Sequence, residues 1–293
     1  MKRIVMTLLV KNERDIINAN IRYHLANGVD FIIATDNGSS DGTREILADY
    51  QQAGALRLID EPGNDFSQDQ WVTRMALLAR DKHGADWIIN SDADEFWRYP
   101  GGSLKDGIVG CTEPIQLCHR HNLFNACDSL LTGPWFNDLI YRVVNPIPPP
   151  MRQGYHDREL RQPYFSYRLP QKAIIAGPGL VSVTQGNHGA IYESTVSQRV
   201  SAIAIYHFPV RNRVQFLRKI KSGGEAYSRN TRYAESIGWH WRRFYRVIQQ
   251  DGIHSALAEA VPTMAQIQLG LDAGEYVEDR TFFHDYLALL RHL

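Results

Sequence analysis

The segment Trp87–Phe96 reads WIINSDADEF and places three carboxylates directly after an apolar run. The run is typical of a buried strand, and Asp92 and Asp94 follow at its carboxyl end. If the backbone stays extended there, residues two apart point the same way, so the two aspartates share one face. Two carboxylates that close repel each other unless a cation lies beside them. The pattern predicts a site for Mg²⁺ or Mn²⁺, with positions left open for phosphate oxygens. A solvated acidic turn is the alternative.

Three earlier apolar runs alternate with helical patterns. The predicted strands are Ile4–Val10, Phe31–Ala34 and Leu56–Ile59. Asn12 is expected to cap the first helix, and Ser39 or Ser40 the second. This alternation indicates an α/β fold with a Rossmann-like, mostly parallel sheet flanked by helices. Because ligands bind beyond the carboxyl ends of strands in such sheets, the position of the aspartates favours a binding site over a solvated turn.

The pattern changes after Pro100. Strands are predicted within residues 111–124 and 139–144, a strand pair within residues 174–183, and a helical region from Arg211 onward. No linker is visible in the sequence. We therefore expect one α/β domain over residues 1–210, and a helical C-terminal extension over residues 211–293 that packs on the same domain.

Charge and cysteine content limit the classes of partner and compartment. The chain has 293 residues with 32 basic and 32 acidic side chains, so no nucleic-acid partner is expected. Eleven basic residues lie between Arg199 and Arg246, against two acidic ones. This basic segment suits an anionic glycan or peripheral contact with a membrane surface. Three cysteines without CxxC spacing favour the cytoplasm. Neither a leader nor a membrane span is expected, because the apolar runs are short.

Three motifs together resemble the family 2-like glycosyltransferases of the GT-A fold. They are VKNERD at Val10–Asp15, TDNGSSDGT at Thr35–Thr43 and WIINSDADEF at Trp87–Phe96. The segment YHFP at Tyr206–Pro209 also resembles a bacterial branch that carries a DADEF-type motif. The resemblance covers residues 1–97 well and residues 172–227 loosely.

The resemblance implies a metal-dependent, inverting glycosyltransferase. Its donor would be a nucleotide-diphosphate sugar, a UDP-sugar, and its acceptor a hydroxyl of a glycan or lipid-linked molecule. The family context implies a role in cell-envelope polysaccharide, in the cytoplasm or peripherally on the inner face of the membrane. The cation would be Mn²⁺ or Mg²⁺.

The resemblance also implies roles for particular side chains. Nucleotide contacts are expected from Glu13, Asp36, Asn37, Asp92 and Lys172. Asn37 stands where relatives carry an aspartate that holds the base, so that contact can pass to Asp36. Cation ligands are expected from Asp92, Asp94 and His207, with His188 as the alternative histidine. The base that takes the acceptor's proton is expected among Asp138, Asp157, Glu159 and Glu193, and the sequence does not choose among them.

Two other functions share parts of this pattern. A sugar nucleotidyltransferase has the same sheet, carboxylates and cation, but it usually carries a glycine- and lysine-rich loop after the first strand. This chain has Lys11–Arg14 there. A non-catalytic nucleotide- or glycan-binding protein of the same fold is the third hypothesis, and the presence of both Asp92 and Asp94 argues against it. A dinucleotide enzyme is disfavoured, because no GxGxxG follows the first strand.

Overall fold

A computed structural model of the chain describes residues 2–62, 68–128, 134–148, 162–229 and 238–290. The strands are β1 (Ile4–Val10), β2 (Phe31–Asp36), β3 (Leu56–Asp60), β4 (Trp87–Asp92), β5 (Glu95–Arg98), β6 (Ile115–Asn122), β7 (Tyr141–Val143), β8 (Lys172–Ala176), β9 (Leu180–Val183), β10 (Ala190–Tyr192), β11 (Gln198–His207) and β12 (Tyr276–Glu278). The helices are α1 (Ile17–Ala26), α2 (Thr43–Gln52), α3 (Gln68–His83), α4 (Leu104–Ile108), α5 (Trp135–Asp138), α6 (Arg213–Arg229), α7 (Trp239–Asp251), α8 (Ile253–Ala260), α9 (Met264–Asp272) and α10 (Thr281–Leu290).

The chain divides into two compact units. The first unit contains Met1–Arg120 and Pro170–His207, and the second contains His121–Leu169 and Phe208–Leu293. Both units are therefore built from two separate stretches of the sequence, and residues 121–169 group with the C-terminal residues.

An eight-stranded sheet forms the first unit, in the order β3-β2-β1-β4-β8-β6-β11-β5. Strands β3, β2, β1 and β4 are parallel neighbours, and the helices α1, α2 and α3 connect them. Strand β8 runs antiparallel to both β4 and β6, and β5 runs antiparallel to β11. The predicted fold class, an α/β protein with a GT-A-like sheet flanked by helices and a helical C-terminal region, is confirmed.

Helix α3 packs on one face of this sheet. Its residues Val72, Met75, Ala76 and Ala79 are buried in one apolar cluster with residues of β1, β2, β4 and β8. They recur at intervals of three and four, so they form a single stripe on the helix. Strand β1 is buried along almost its whole length, as its continuous apolar run predicts for a central parallel strand.

The predicted helix caps are wrong. Helix α1 begins at Ile17, because Asn12 has a positive φ of 57° and its side-chain oxygen accepts a hydrogen bond from the Ser40 N–H at 2.8 Å. Helix α2 begins after Gly42, whose φ is 99°. The polar residues of the two turns therefore bind each other across the ends of β1 and β2, and they do not cap the helices.

The second unit contains helices α5 to α10 and the two-stranded sheet of β7 and β12. Aromatic rings pack its segments together: the ring centroids of Trp135 and Phe208 are 4.9 Å apart, as are those of Phe208 and Phe282. Helices α6 and α7 approach closely at Gly223 and Gly224, where an added Cβ would collide with side chains of α7. The helical pattern predicted from Arg211 onward is confirmed, with β12 as an addition that the sequence did not reveal. No helix in the described ranges is long and apolar enough to span a bilayer.

Candidate active site

The carboxyl ends of three parallel strands meet at one edge of the first unit's sheet. Strand β1 lies between β2 and β4, and its residues Val10 and Leu9 pair with Asp36 and Asp92, respectively. Neighbouring strands are about 4.8 Å apart, so the backbones of the two aspartates are about 10 Å apart. Two of the predicted acidic positions therefore flank the end of β1, where ligands bind in sheets of this kind.

The chain turns immediately after Asp92. Strand β4 ends at this residue, Ala93 and Asp94 form the turn, and β5 begins at Glu95. The expectation of an extended backbone through both aspartates is therefore wrong. The Asp92 N–H donates to Glu95 Oε2 at 3.2 Å, which closes the turn. As a result, the two aspartates contact different partners.

Helix α1 fixes this turn through a buried amide. The Asn20 Nδ2 group donates to the carbonyl oxygens of Ala93 and Glu95, both at 2.9 Å, so it binds the backbone on either side of Asp94. His24, one helical turn later, donates from Nδ1 to the Asn20 carbonyl at 2.8 Å and accepts the Trp97 N–H at 3.1 Å. Sequence reasoning missed both residues. The available signal was a polar pair four residues apart on the buried stripe of α1.

A buried ion network holds the other side of the turn. The Lys172 ammonium lies 2.6 Å from Asp92 Oδ2 and 2.8 Å from Glu95 Oε2. The Arg120 guanidinium donates to Glu95 Oε1 at 3.0 Å. Glu95 is fully buried and Lys172 is 2% exposed, whereas the Asp92 side chain is 37% exposed. Glu95 and Arg120 were not predicted.

The charges of this network set the ionisation of Asp92. Burial and the nearby Asp94 carboxylate both favour the neutral acid, but the charge and hydrogen bond of Lys172, with help from Arg120, hold the pKa of Asp92 below its ordinary value. Asp92 is therefore an anion at neutral pH.

Asp94 contacts a histidine from the distant strand β11. His207 Nε2 lies 3.5 Å from Asp94 Oδ1, and Asp94 is 2% exposed. Burial lowers the pKa of His207 below its ordinary value, although the Asp94 carboxylate acts in the opposite direction. The imidazole is therefore neutral at pH 7. The pairing of β5 with β11, which aligns His207 with Glu95, produces this contact between residues more than one hundred positions apart.

The two carboxylate oxygens of Asp36 have different surroundings. Its Oδ2 accepts the Ser39 N–H at 3.0 Å, and its side chain is almost completely buried. Its Oδ1 atom is buried and has no hydrogen-bond partner among the described residues. Unsatisfied buried acceptors are rare in folded proteins, so this atom indicates a position that a ligand N–H or O–H can satisfy.

The other predicted nucleotide and metal positions lie around this edge. The N–H of Glu13 donates to Thr43 Oγ1 at 2.8 Å, and its side chain is nearly buried. Asn37 Nδ2 donates to the Glu61 carbonyl at 3.0 Å. His188 contacts the Gln171 carbonyl through Nδ1 at 2.7 Å, which places the proton on Nδ1 and leaves Nε2 as an acceptor. Burial lowers the pKa of His188 as well.

The four candidate bases have different locations. Asp157 and Glu159 lie outside the described residues. Asp138 is the last residue of α5, in the second unit. Glu193 follows β10 in the first unit, where its backbone N–H donates to the Gly179 carbonyl at 3.0 Å and its charge acts on Arg80 of α3.

The side chains at this edge supply only part of the ligands that a divalent cation needs. Within the described ranges, no three His, Cys, Asp or Glu side chains are grouped as a metal site requires. Asp94 and the neutral His207 nevertheless offer a carboxylate oxygen and an imidazole nitrogen side by side. Mg²⁺ often takes only one or two carboxylates from the protein, because waters and substrate phosphates supply the other ligands. These two side chains can hold such a cation.

The N-terminal part of this edge matches a known sequence family. Residues 7–103 match the model of glycosyltransferase family 92. The protein is an enzyme of glycosyltransferase type. The matched stretch contains the end of β1 from Thr7, and all of β2 and β4, with Asp36, Asp92 and Asp94. No curated protein matches the chain.

Solved structures of glycosyltransferases show distant similarity. S. aureus TarS, residues 1–349, has 11% identity and a TM-score of 0.40, covering 85% of this chain and 72% of that chain. Its complex with UDP has 12% identity and a TM-score of 0.40, covering 91% and 78%. Glucosyl-3-phosphoglycerate synthase from Mycobacterium tuberculosis, solved with Mn²⁺, UDP and glucosyl-3-phosphoglycerate, has 21% identity and a TM-score of 0.28, covering 41% and 44%.

Proposed function

We propose that the protein transfers a sugar from a UDP-sugar to a hydroxyl of a glycan or lipid-linked acceptor, with inversion and with a bound Mn²⁺ or Mg²⁺. The observation that carries this proposal is the contact between His207 of β11 and Asp94, which follows β4 inside the stretch that matches a glycosyltransferase model. The DADEF-type motif is thus a binding motif in this proposal, and a role in cell-envelope polysaccharide follows as the expected context.

The Oδ1 atom of Asp36, which has no hydrogen-bond partner among the described residues, supports a binding site for the nucleotide base at this position. A buried carboxylate oxygen accepts an N–H strongly, and the uracil ring offers one N–H with carbonyls on either side. Glu13 and Asn37 lie in the two turns beside it and complete the proposed nucleotide contacts, with Asp92 and Lys172 toward the phosphates. The separation of about 10 Å between the backbones of Asp36 and Asp92 leaves room for a ribose between the base and the diphosphate.

Asp94 and His207 would hold the cation, with His188 as the alternative histidine. When bound, the cation supplies Lewis-acid stabilisation of the charge that develops on the leaving diphosphate. Burial lowers the pKa of His207, which leaves a nitrogen lone pair available for a cation. The two hydrogen bonds from Asn20 hold the backbone on either side of Asp94.

Inversion requires a base on the acceptor side. A carboxylate would accept the proton of the attacking hydroxyl. Asp138, Asp157, Glu159 and Glu193 remain the candidates for this role, and a separate Asn or Gln variant of each would identify the residue by loss of turnover.

The basic segment supports a peripheral position at the cytoplasmic face of a membrane. On α6, Val214, Arg218 and Lys221 lie four and three residues apart and so share one face of the helix. Val214 is 75% exposed. An exposed apolar side chain beside basic ones suits an anionic lipid surface, where a lipid-linked acceptor would be present.

The experiment replaces Asp94 with alanine and measures UDP release from UDP-sugars with Mn²⁺. We expect a loss of about 100-fold or more, because the cation would lose its carboxylate and several kcal/mol of charge stabilisation. Asp49→Ala, the same change at an exposed position of α2, is the control and should keep wild-type turnover.

Full turnover of Asp94→Ala in EDTA would overturn the mechanism. Pyrophosphate release from a nucleoside triphosphate would instead indicate a nucleotidyltransferase. UDP binding without any hydrolysis or transfer would indicate a binding protein.

A further inference from the structure

The loop between β9 and β10 lies at the same edge of the first unit's sheet as Asp92. Helix α3 connects the parallel strands β3 and β4, so it begins at the carboxyl edge of the sheet. Strand β9 follows this helix toward its first residue: the Val183 N–H donates to Thr73 Oγ1 at 3.0 Å, and Gln185 Nε2 then donates to Gln68 Oε1 at 3.3 Å. The loop after β9 therefore reaches the edge where the predicted nucleotide and cation residues lie.

A second contact attaches this loop beside Asp92. His188 contacts the Gln171 carbonyl through Nδ1 at 2.7 Å. Gln171 directly precedes Lys172, the first residue of β8, whose ammonium lies 2.6 Å from Asp92 Oδ2. The loop is thus held by the start of α3 on one side and by the start of β8 on the other, and all of these residues belong to the first unit.

Two consecutive residues of the loop have left-handed backbone conformations. The φ angles of Gly186 and Asn187 are 75° and 62°. Glycine is needed at the first position, because an added Cβ would lie 2.6 Å from His188 Nε2. The second position carries a side chain, for which a positive φ is uncommon, and residues held in this way concentrate at functional sites.

The Asn187 side chain is buried with an unsatisfied oxygen. Asn187 is 3% exposed, and its Oδ1 atom has no hydrogen-bond partner in the part of the chain that the structure describes. Its backbone N–H, by contrast, donates to the Thr184 carbonyl at 3.0 Å. A buried acceptor without a partner is unfavourable in the free protein, and an O–H group of a ligand removes that penalty. The unsatisfied oxygen and the uncommon backbone conformation coincide at one residue, which points to a ligand.

The order of the strands places this oxygen where the donor's sugar would lie. Along the edge, β2 ends at Asp36, β4 ends at Asp92, and β8 begins beside β4 at Lys172. Three strand spacings, or about 14 Å, separate β2 from β8, which leaves room for a ribose and a diphosphate between a base and a sugar. A donor with its base at Asp36 and its diphosphate near Asp92 would therefore place its sugar at the loop that contains Asn187.

We propose that Asn187 is a specificity-determining residue whose Oδ1 atom accepts a hydrogen bond from a hydroxyl of the donor's sugar ring. This inference rests on the proposed function, because the sugar is that of the proposed UDP-sugar. Asn187 then recognises the sugar and contributes nothing to the binding of UDP.

The test measures the affinities of the full chain for UDP, UDP-glucose, UDP-galactose, UDP-glucuronic acid and UDP-N-acetylglucosamine by calorimetry with Mn²⁺ present. Asn187→Gly suits the left-handed backbone and removes the amide. Its affinity for the UDP-sugar that wild type binds most tightly should fall about tenfold, because one buried hydrogen bond is lost, and its affinity for UDP should change less than about twofold. Asn145→Gly, at an exposed position of the second unit, is the control and should match wild type for both ligands.

Three results would overturn the inference. The first is an equal loss of affinity for UDP and for the UDP-sugar, which would assign Asn187 to the nucleotide or to the fold of the loop. The second is an unchanged affinity of Asn187→Gly for the UDP-sugar, and the third is a wild-type chain that binds UDP but none of the four UDP-sugars. If Asn187→Gly does not fold, Asn187→Ala removes the same amide, and the same comparison of UDP with the UDP-sugar decides.

Transfer of sugar from the UDP-sugar is measured separately on the same samples. A chain that transfers sugar, and whose UDP-sugar affinity does not depend on Asn187, overturns this inference and leaves the proposed function standing. A chain whose UDP-sugar affinity depends on Asn187, but which transfers no sugar, contradicts the proposed function and leaves the sugar contact standing.

Discussion

At the scale of single residues, the orientation of Asp94 depends on polar groups that never reach solvent. Asn20 donates both of its amide hydrogens to the turn, and His24 holds Asn20 through its carbonyl. A buried backbone acceptor left without a partner costs about 1–3 kcal/mol, so the two bonds from Asn20 favour the observed turn. The Asp94 carboxylate, which we propose as a cation ligand, is therefore positioned by a side chain of helix α1.

His24 makes the stability of the first unit dependent on pH. Burial lowers its pKa from 6.5 to about 3, although its bond to the Asn20 carbonyl acts in the opposite direction. The unfolded chain takes up this proton as pH falls below about 6.5, whereas the folded chain stays neutral down to about 3, so folding loses about 1.4 kcal/mol per pH unit in that window.

We expect His24→Gln to be less stable than wild type at pH 7.5 and to show a flatter dependence on pH. Urea unfolding between pH 7.5 and 5, followed by tryptophan fluorescence, measures this, and the gap between the two proteins should narrow as the pH falls. His119→Gln, at an exposed position of β6, is the control and should keep the wild-type slope. A wild-type slope in His24→Gln would contradict the assignment.

At the scale of elements, the periodicity of the sequence predicted the first strands and helices, but it did not predict elements that depend on pairing between remote strands. The βαβ units of the first ninety residues follow from apolar runs and helical stripes, and they are confirmed. The turn after Asp92 was not predicted, because β5 exists only through its pairing with β11, more than one hundred residues later. His207 was selected from its motif, but its contact with Asp94 follows from that pairing. Arg120 and Lys172 bind Glu95 for the same reason: each lies on a strand brought in from a remote part of the chain.

The connection between β8 and β9 lies so close to the backbone before β4 that only glycine fits there. Gly177 donates its N–H to the Asp86 carbonyl at 2.9 Å, and an added Cβ would lie well inside contact distance of the Ala85 carbonyl oxygen. The atoms that the added Cβ would meet belong to the Ala85 backbone, so no flexible side chain can move aside. The entry to β4 and the exit from β8 are therefore packed directly on each other.

We expect Gly177→Ala to destabilise the protein by about 2 kcal/mol or more, as overpacked sites do. Gly189→Ala is the matched control, because its Cβ would meet only Thr184 Oγ1 at 3.6 Å and its φ lies outside the left-handed region. That variant should stay within about 0.5 kcal/mol of wild type. Thermal unfolding of both variants measures the difference, and equal stability of the two would show that the Ala85 contact relaxes at little cost.

At the scale of the whole molecule, the sequence could not reveal how the chain is divided. The predicted boundary at residue 210 lies close to the end of the first unit at His207, where the last strand of the large sheet stops. The grouping of residues 121–169 with the C-terminal helices depends on contacts between remote segments, such as the aromatic contact between Trp135 and Phe208. Local sequence patterns do not predict such contacts, because any apolar side chain of suitable size could make them.

The uneven charge of the molecule leads to a final prediction about membranes. The protein should bind vesicles that contain phosphatidylserine more tightly than neutral phosphatidylcholine vesicles, and rising salt should weaken this binding. Lys221→Glu with Arg246→Glu, two exposed positions in the basic segment, should reduce vesicle binding at least about tenfold, since each basic residue near the surface contributes about 1 kcal/mol. Arg57→Glu with Lys82→Glu changes the net charge equally at exposed positions of the first unit and should bind like wild type. Sedimentation with vesicles measures all three proteins, and equal losses in both double variants would assign the effect to net charge and remove the basic segment as the contact surface.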